Sequence, residues 1–165
     1  MSRYRMQQRL LSLGGDFTIE NEQGKPAFEV DGKVMKIRRT FVIKDTAGNE
    51  VVTVRQKLVA LRKTMHLLRG GDEIATIRKA LLAPFRQKYA VDVKDGEDLE
   101  VQGDVLSHEF EIRRGGDVIA EISKRWFTIR DTYGIEIADG EDDPLLLAIA
   151  VAVDEMAHDK DAGGE

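Results

Sequence analysis

Hydrophobic and polar residues alternate along most of the chain as far as residue 138, which is the pattern of strands with one buried and one solvated face. The alternation is regular in Val91-Asp92-Val93 and in Glu109-Phe110-Glu111-Ile112. Glycine-containing turns separate the alternating segments, as tight hairpins require. The pattern predicts about twelve strands between residues 4 and 138.

One segment near the end breaks this pattern, because every residue from Leu145 to Val153 is apolar. A helix without a polar face must be enclosed on all sides. Asp142 or Asp143 can cap such a helix, Pro144 suits its first turn, and it is expected to end at about His158. The predicted fold is therefore mainly β with one helix: a closed antiparallel β-barrel of about twelve strands around a central hydrophobic C-terminal α-helix.

The chain also contains an internal repeat with an offset of 45 residues. Arg69–Lys79 shares its pattern of Arg-Gly-Gly-Asp followed by alternating residues with Arg114–Lys124, and Phe41–Lys57 is a looser copy. Each copy has the form of a β-hairpin, and glycine supplies the backbone conformation that the turns need. Two good copies and a weak one are too few for a solenoid, so the repeat indicates a closed sheet with internal pseudo-symmetry.

Length and composition are those of one domain with a substantial core, which we expect to span residues 1–159, followed by a flexible tail at 160–165. The absence of cysteine excludes disulfides and thiolate metal sites. The N-terminus lacks the apolar segment of a secretion signal, and the apolar run is too short to span a bilayer. These features predict a cytoplasmic protein, either free or peripheral at a membrane.

The charge of the chain is unevenly divided along the sequence. Residues 1–94 contain 19 Lys and Arg against 10 Asp and Glu, a balance of +9, whereas residues 95–165 contain 6 against 20, a balance of −14. A basic region of this kind could meet an anionic partner. Alternatively, strands from the two halves intermix in the barrel and scatter the charges.

Seven segments of the sequence form a recognisable set: Gly14–Ile19, Phe28–Gly32, Val54–Leu58, Ala75–Lys79, Ala120–Phe127, Arg130–Ile137 and Glu141–Asp143. Together they resemble the LURP-one-related family over about residues 3–158, and the stretch Ser123–Asp143 is the most specific part.

The resemblance implies a twelve-stranded barrel around a hydrophobic helix, since this family is structurally akin to the tubby C-terminal domain and the phospholipid scramblases. Tubby domains bind phosphoinositide head groups, and scramblases act on phospholipids. The function that the resemblance implies is therefore a non-enzymatic, tubby-like domain that binds anionic phospholipid head groups or tethers to membrane surfaces. The alternative is a protein-interaction or stress-related scaffold without a lipid ligand, and a shared fold alone does not decide between them.

Catalysis and cofactors are not predicted from the residues present. His66, His108 and His158 are scattered without ligand spacing, and no phosphate loop, dinucleotide fingerprint or nucleophile elbow occurs. The acidic loops 95–98 and 139–142 lack the spacing of a calcium-binding EF-hand, and turn and cap chemistry explains both of them. We expect no cofactor and no metal, although the sequence leaves open whether these loops hold calcium.

The basic stretches provide the candidate binding residues. Gathered on an outward face of the sheet, they could bind phosphate or lipid head groups. The alternative is a solvated exterior on which these side chains balance nearby carboxylates. The candidate residues are Lys36, Arg38, Arg39, Arg78, Lys79, Arg86 and Lys88.

The partners that these residues predict are anionic phospholipids or a protein. Nucleic acid is not expected, because no stacking aromatic residues lie among the lysines and arginines. Trp126 could act as a membrane wedge, but its counterpart in the repeat is Leu81, which favours core or rim packing. The sequence leaves the oligomeric state open.

Overall fold

The computed structural model of the chain describes residues 1–7, 16–34, 39–56, 64–83, 86–126 and 132–158. These residues form twelve strands and one helix. The elements are β1 (Ser2–Gln7), β2 (Phe17–Asn21), β3 (Pro26–Val34), β4 (Arg39–Asp45), β5 (Glu50–Gln56), β6 (Thr64–Arg69), β7 (Asp72–Ala83), β8 (Arg86–Val93), β9 (Leu99–Asp104), β10 (Glu109–Arg114), β11 (Asp117–Ser123), β12 (Thr132–Ile137) and α1 (Asp143–His158).

The twelve strands close into an antiparallel barrel in which each strand pairs with its neighbours in sequence. The first strand closes the ring against the last, with Ser2 opposite Ile137 and Gln7 opposite Thr132. A closed ring leaves no unpaired sheet edge. The predicted closed barrel of about twelve strands is confirmed.

The sequence repeat corresponds to two hairpins with the same register. Leu67 pairs with Ala75 in one hairpin and Ile112 pairs with Ala120 in the other, and each register shifts by one residue immediately beyond that pair. The shift is a β-bulge, which strengthens the local twist of the strands. The two turns use glycine in the left-handed region, with φ of 60° at Gly70 and 59° at Gly115.

Helix α1 lies inside the barrel and packs against β5, β6, β7 and β12. Every residue from Leu146 to Val153 is at most 1% exposed, as the uninterrupted apolar run predicts. Asp142 caps the helix: its Oδ1 accepts a hydrogen bond of 3.2 Å from the backbone N–H of Leu145, and its carbonyl accepts one of 3.1 Å from Leu146. The predicted helix, its cap and its C-terminal end are therefore confirmed.

The barrel has two different ends, which we name by their connections. The turn rim comprises the hairpin turns at 22–25, 46–49, 70–71, 94–98 and 115–116 and the segment 138–142 that leads into α1. The loop rim is the opposite end, where the odd-numbered strands finish and the even-numbered strands begin. The helix begins at the turn rim and finishes at the loop rim, because Asp143 contacts Tyr4 whereas Asp154 contacts His108.

Strands from the two halves of the sequence do not intermix. Because the ring follows chain order, β1–β8 form one continuous sector of the wall and β9–β12 form the other. The described strands of the basic half, residues 1–94, and those of the more acidic half therefore occupy separate sectors of the wall.

Candidate functional site

Charge is also separated along the barrel axis, since the turn rim is strongly acidic. Within its turns and the strand residues that flank them, acidic side chains outnumber basic ones three to one. The acidic residues are Glu22, Asp45, Glu50, Asp72, Asp95, Glu97, Asp98, Asp117, Asp139, Glu141, Asp142 and Asp143, and the basic ones are Lys25, Arg69, Lys94 and Arg114. This end of the barrel would be repelled by an anionic surface.

At the loop rim, the segments that join strands β1–β8 carry more basic than acidic residues. Four segments, 8–16, 35–38, 57–63 and 84–85, join strands that end and begin at this rim, and apart from Asp16 their structure lies outside the described residues. Their sequences contain one acidic residue, Asp16, against six Lys and Arg: Arg9, Lys36, Arg38, Lys57, Arg62 and Lys63. The sequence 159–165, which follows the helix, contains three acidic residues and one lysine.

Two of the predicted binding residues form ion pairs on the outer wall. Arg78 of β7 binds the carboxylate of Asp92, and the Lys88 ammonium lies 3.6 Å from the carboxylate of Glu100. All four side chains are well exposed, so each pair is weak and easily exchanged for water or another anion. For these two residues the structure agrees with the alternative of a solvated exterior whose basic residues balance nearby carboxylates.

Arg86 is the predicted binding residue with the most accessible position. It is exposed at the start of β8, and no ion pair joins it to another residue in the described part of the chain. It lines a groove of about 310 Å³ on the outer wall at the loop-rim end. The groove is otherwise lined by Gln102, Gly103, Glu109, Phe110, Glu111, Glu121 and Ile122.

Lys79 differs from the other candidates because it shares the inward face of β7 with Ala75 and Ile77. It pairs across the sheet with the buried Tyr89. Partial burial lowers the pKa of the Lys79 ammonium, since the charged form loses contact with water. The Lys79 side chain therefore does not belong to the outer face of the barrel, where the predicted patch of basic residues would lie.

The remaining candidates are only partly covered by the described structure. Lys36 and Arg38 lie outside the described residues. The backbone of Arg39 begins β4 at the loop rim and pairs with Val34. Described residues therefore bring Arg39, Arg86 and Lys88 to the loop-rim half of the wall, whereas Arg78 lies nearer the middle.

The interior of the loop rim holds a polar cluster that the sequence patterns did not reveal. His108 Nε2 lies 2.7 Å from Asp154 Oδ1, and the two side chains are 1% and 7% exposed. The His108 ring stacks on Tyr133, with centroids 4.2 Å apart and planes at 23°. Asp154 belongs to the last turns of α1, so this contact ties the wall to the end of the helix. The only sequence signal was Asp154-Glu155 directly after the apolar run.

Two buried tyrosines complete this cluster. Burial, reinforced by the negative charge of Asp154, raises the pKa of Tyr89 to about 12 and that of Tyr133 well above its usual range. Neither hydroxyl has a hydrogen-bond partner in the described part of the protein. Both phenols therefore stay neutral at physiological pH, and the cluster is enclosed by the barrel.

Trp126 follows β11 and is half-buried, so it does not belong to the core. The guanidinium carbons of Arg3 and Arg125 lie 5.3 Å and 5.8 Å from the centre of its ring. These are cation–π distances, so the ring stabilises two positive charges on the barrel wall.

Neither a metal centre nor a membrane-spanning helix is present in the described residues. No three His, Asp or Glu side chains there are grouped so that they could hold a metal ion. No described helix is both long enough and apolar enough to cross a bilayer.

Comparison with known proteins relates this arrangement to one family. The model of the LURP-one-related family matches residues 2–154. The protein YxjI of Bacillus subtilis is 27% identical over 149 residues, covering 90% of both chains. Protein LURP-one-related 15 of Arabidopsis thaliana is 24% identical over 167 residues, covering 90% of this chain and 77% of its own. An X-ray structure of an Arabidopsis thaliana protein has the same fold, with a TM-score of 0.71 at 18% identity and coverage of 95% and 91%.

Proposed function

Since the chain belongs to the LURP-one-related family, we propose that it is a non-enzymatic domain that binds anionic phospholipid head groups at a membrane surface through its loop rim. The candidate contact residues are Lys36, Arg38, Arg39, Arg86 and Lys88, with Arg78 as a weaker candidate. Lys79 is left out, because it lies on the inward face of β7.

The observation that carries this proposal is the separation of charge along the barrel axis. Acidic residues dominate the turn rim, and basic residues dominate the sequences that join β1–β8 at the loop rim. An anionic bilayer attracts each nearby Lys or Arg by about 1 kcal/mol and acts over about one Debye length, roughly 8 Å at physiological salt. The barrel would therefore approach such a surface with its loop rim forward and its turn rim facing solvent.

Among the described residues, Arg86 is the strongest candidate for contact with a phosphate. Its guanidinium group is exposed and can bind two phosphate oxygens at once. Lys88 lies two residues further along the same face of β8, and its exposed pair with Glu100 can open at little cost. Arg78 is a weaker candidate, because Asp92 on the neighbouring strand already binds it.

The non-enzymatic part of the proposal rests on the position of the polar cluster. A nucleophile and its base must reach a bound substrate. His108 and Asp154 are enclosed between the helix and the wall, where a substrate has no access. The other histidine pair of the described wall is the half-buried His66 with Glu73 at 2.9 Å. The neighbouring Thr76 hydroxyl donates its hydrogen bond to Glu73 and not to the imidazole, so the contacts do not form a nucleophile–histidine pair.

Vesicle sedimentation tests the proposal. The protein is mixed with vesicles of neutral lipid containing a graded fraction of phosphatidylserine, at low salt and at physiological salt. We expect binding that rises with the anionic fraction and weakens with salt, because the attraction is mainly electrostatic. Absence of binding at both salt concentrations would overturn the proposal and favour the protein-interaction scaffold.

Charge reversals at the two rims provide a matched comparison. Arg86→Glu combined with Lys88→Glu changes the charge at the loop rim by the same amount as Lys25→Glu combined with Lys94→Glu at the turn rim. We expect the loop-rim pair to lose most of the binding and the turn-rim pair to keep it. Equal losses would show that net charge alone governs binding, and would contradict a loop-rim site.

A further inference from the structure

We infer that the β9–β10 turn, Val105–His108, is the part of the described loop rim that enters the bilayer interface, with Leu106 as the inserting side chain. The inference rests on the proposed function and adds the inserting turn to the orientation given there, in which the barrel axis stands upright on the membrane with the acidic turn rim away from it.

The exposure of Leu106 is the first observation. Three large hydrophobic side chains are exposed in the described part of the chain: Met1 at 75%, Leu106 at 50% and Val118 at 42%. Met1 lies beside Asp139, and Val118 follows the Gly115–Gly116 turn, so both belong to the acidic turn-rim end. Leu106 is therefore the exposed apolar side chain at the end that an anionic surface would attract.

The second observation is that the turn holds Leu106 in a fixed position. The backbone N–H of Val105 donates a 2.9 Å hydrogen bond to the side-chain oxygen of the buried Gln87. Asp104 Oδ1 accepts a 3.2 Å bond from the N–H of Ser107, and the carbonyl of Val105 accepts a 3.0 Å bond from His108. These three hydrogen bonds fix the backbone of the turn on both sides of Leu106, while the leucine side chain remains exposed.

His108 provides the strongest anchor of the turn. It has a positive φ of 56°, and it is the only residue other than glycine with positive φ in the described part of the chain. This conformation is unfavourable for a residue with a side chain. Here it directs the imidazole inward to Tyr133 and Asp154. The buried contacts of His108 thus stabilise an unfavourable backbone conformation and fix the end of the turn, while Leu106 within the same turn faces solvent.

The charges around the turn are mixed. Its two flanking carboxylates each accept a hydrogen bond from a backbone N–H, Asp104 from Ser107 and Glu109 from Lys124 at 2.9 Å, and both keep their negative charge. Arg86 and Lys88 lie on the adjacent strand β8, whose Gln87 pairs with Gly103. Basic residues attract the phosphates while an apolar side chain enters the interface, which is the combination that interfacial binding uses.

Single-tryptophan reporters distinguish the two ends of the barrel. The chain has one tryptophan, so Trp126→Phe provides a silent background. Leu106→Trp and Val118→Trp are then introduced separately, and each variant is mixed with phosphatidylserine-containing vesicles, with and without brominated acyl chains. We expect a blue shift and quenching for the reporter at position 106 and neither for the reporter at position 118.

Charged substitutions measure the contribution of the side chain. Leu106→Asp is expected to weaken partitioning onto the same vesicles about tenfold, because a buried leucine contributes roughly that factor. Val118→Asp, at the acidic end, is expected to leave partitioning unchanged. Circular dichroism of each variant verifies that the barrel remains folded.

The outcomes separate this inference from the proposed function. Vesicle binding with an unshifted, unquenched reporter at position 106 would overturn the inference and leave the proposed function standing. A wild-type protein that binds no vesicle at low salt would overturn both. Quenching of both reporters would show that the barrel lies on its side, which also overturns the upright orientation.

Discussion

Arg69 and Arg114 occupy equivalent positions in the two copies of the sequence repeat, and both bind carboxylates of the segment that leads into the helix. Arg69 donates to both oxygens of Asp142 at 2.9 and 3.1 Å, and Arg114 donates to both oxygens of Glu141 at 2.8 Å. Such two-point contacts fix orientation as well as distance. The repeated hairpins therefore hold the entrance of the central helix from two sides of the barrel.

Loss of the contact between Arg114 and Glu141 should change how the free energy of unfolding depends on pH. The Arg114 guanidinium lowers the pKa of Glu141 below its ordinary value of 4.5. A lowered carboxyl pKa contributes stability above the unfolded-state value, and this contribution is lost as the pH falls through the folded-state value. Arg114→Gln is therefore expected to cost about 0.5–1 kcal/mol at pH 7 and much less at pH 3.

Urea unfolding of both proteins at the two pH values measures this difference. Arg78→Gln is the matched control, because both side chains of the Arg78 ion pair with Asp92 are well exposed and the pair should contribute little. A cost for Arg114→Gln that is equal at pH 3 and pH 7 would contradict the role assigned to Glu141.

A charge inside the barrel should prevent folding. Ile149 is fully buried in the middle of α1, so Ile149→Asp places a carboxylate where neither water nor a cation can reach it. We expect an unfolded or aggregated protein by circular dichroism. Ile149→Val, which only shortens the side chain, should cost about 1 kcal/mol. A folded and soluble Ile149→Asp variant would refute the enclosed helix.

Gly103 is expected to tolerate no side chain. Its φ is +138°, and an added Cβ would lie 2.7 Å from both the carbonyl oxygen of Glu109 and the Cα of Phe110. Both contacts are with backbone atoms, which cannot move without disturbing the β9–β10 ladder. We expect Gly103→Ala to lower the free energy of unfolding by about 2–3 kcal/mol.

The control for that substitution is Gly116→Ala, since nothing lies within 4 Å of a Cβ at Gly116 and its φ is not in the left-handed region. Thermal unfolding should show a clear decrease in Tm for the first variant and little change for the second. Similar Tm values for both would contradict the packing described at Gly103.

The hydroxyls of two tyrosines should differ in their contribution to stability. The Tyr4 hydroxyl donates a 2.6 Å hydrogen bond to Asp143, and burial together with this bond raises its pKa to about 12. Tyr4→Phe is therefore expected to cost about 1.5 kcal/mol, as for other hydrogen bonds to charged groups. Tyr133→Phe removes a hydroxyl for which the described structure provides no partner, and should change stability by less than about 0.5 kcal/mol.

Denaturant titrations at neutral pH compare the two variants. A larger cost at Tyr133 than at Tyr4 would contradict this assignment and would indicate that the interior hydroxyl is hydrogen-bonded.

The architecture could be predicted from the sequence because two strong patterns agreed with each other. The alternation of polar and apolar residues in segments such as Glu109–Ile112 requires a sheet with one buried face. The apolar run Leu145–Val153 requires a helix that is buried on every side. A closed barrel around the helix satisfies both requirements with one core. The cap at Asp142 was predictable for a local reason, because the segment Asp142–Pro144 marks a helix start independently of tertiary contacts.

The functional surface was less predictable because it depends on which side chains meet across strands. The local sequence around Arg78 does not predict its ion pair with Asp92, because that pair depends on the register of β7 and β8. The bonded pair of His108 and Asp154 is separated by 46 positions and depends on an unusual backbone conformation. Inward placement of Lys79 likewise follows from the strand register rather than from composition.

The pairing of Ser2 with Ile137 has a consequence for how the protein folds. Ring closure joins the two ends of the sheet across 135 positions of sequence, and the helix that must be inside the ring follows the last strand. Folding dominated by such distant contacts is slow. Until the first and last strands meet, the apolar residues of the helix stay accessible, and the partly formed barrel is prone to aggregate. The slow step is therefore expected to be capture of the helix by an open sheet, followed by closure between β1 and β12.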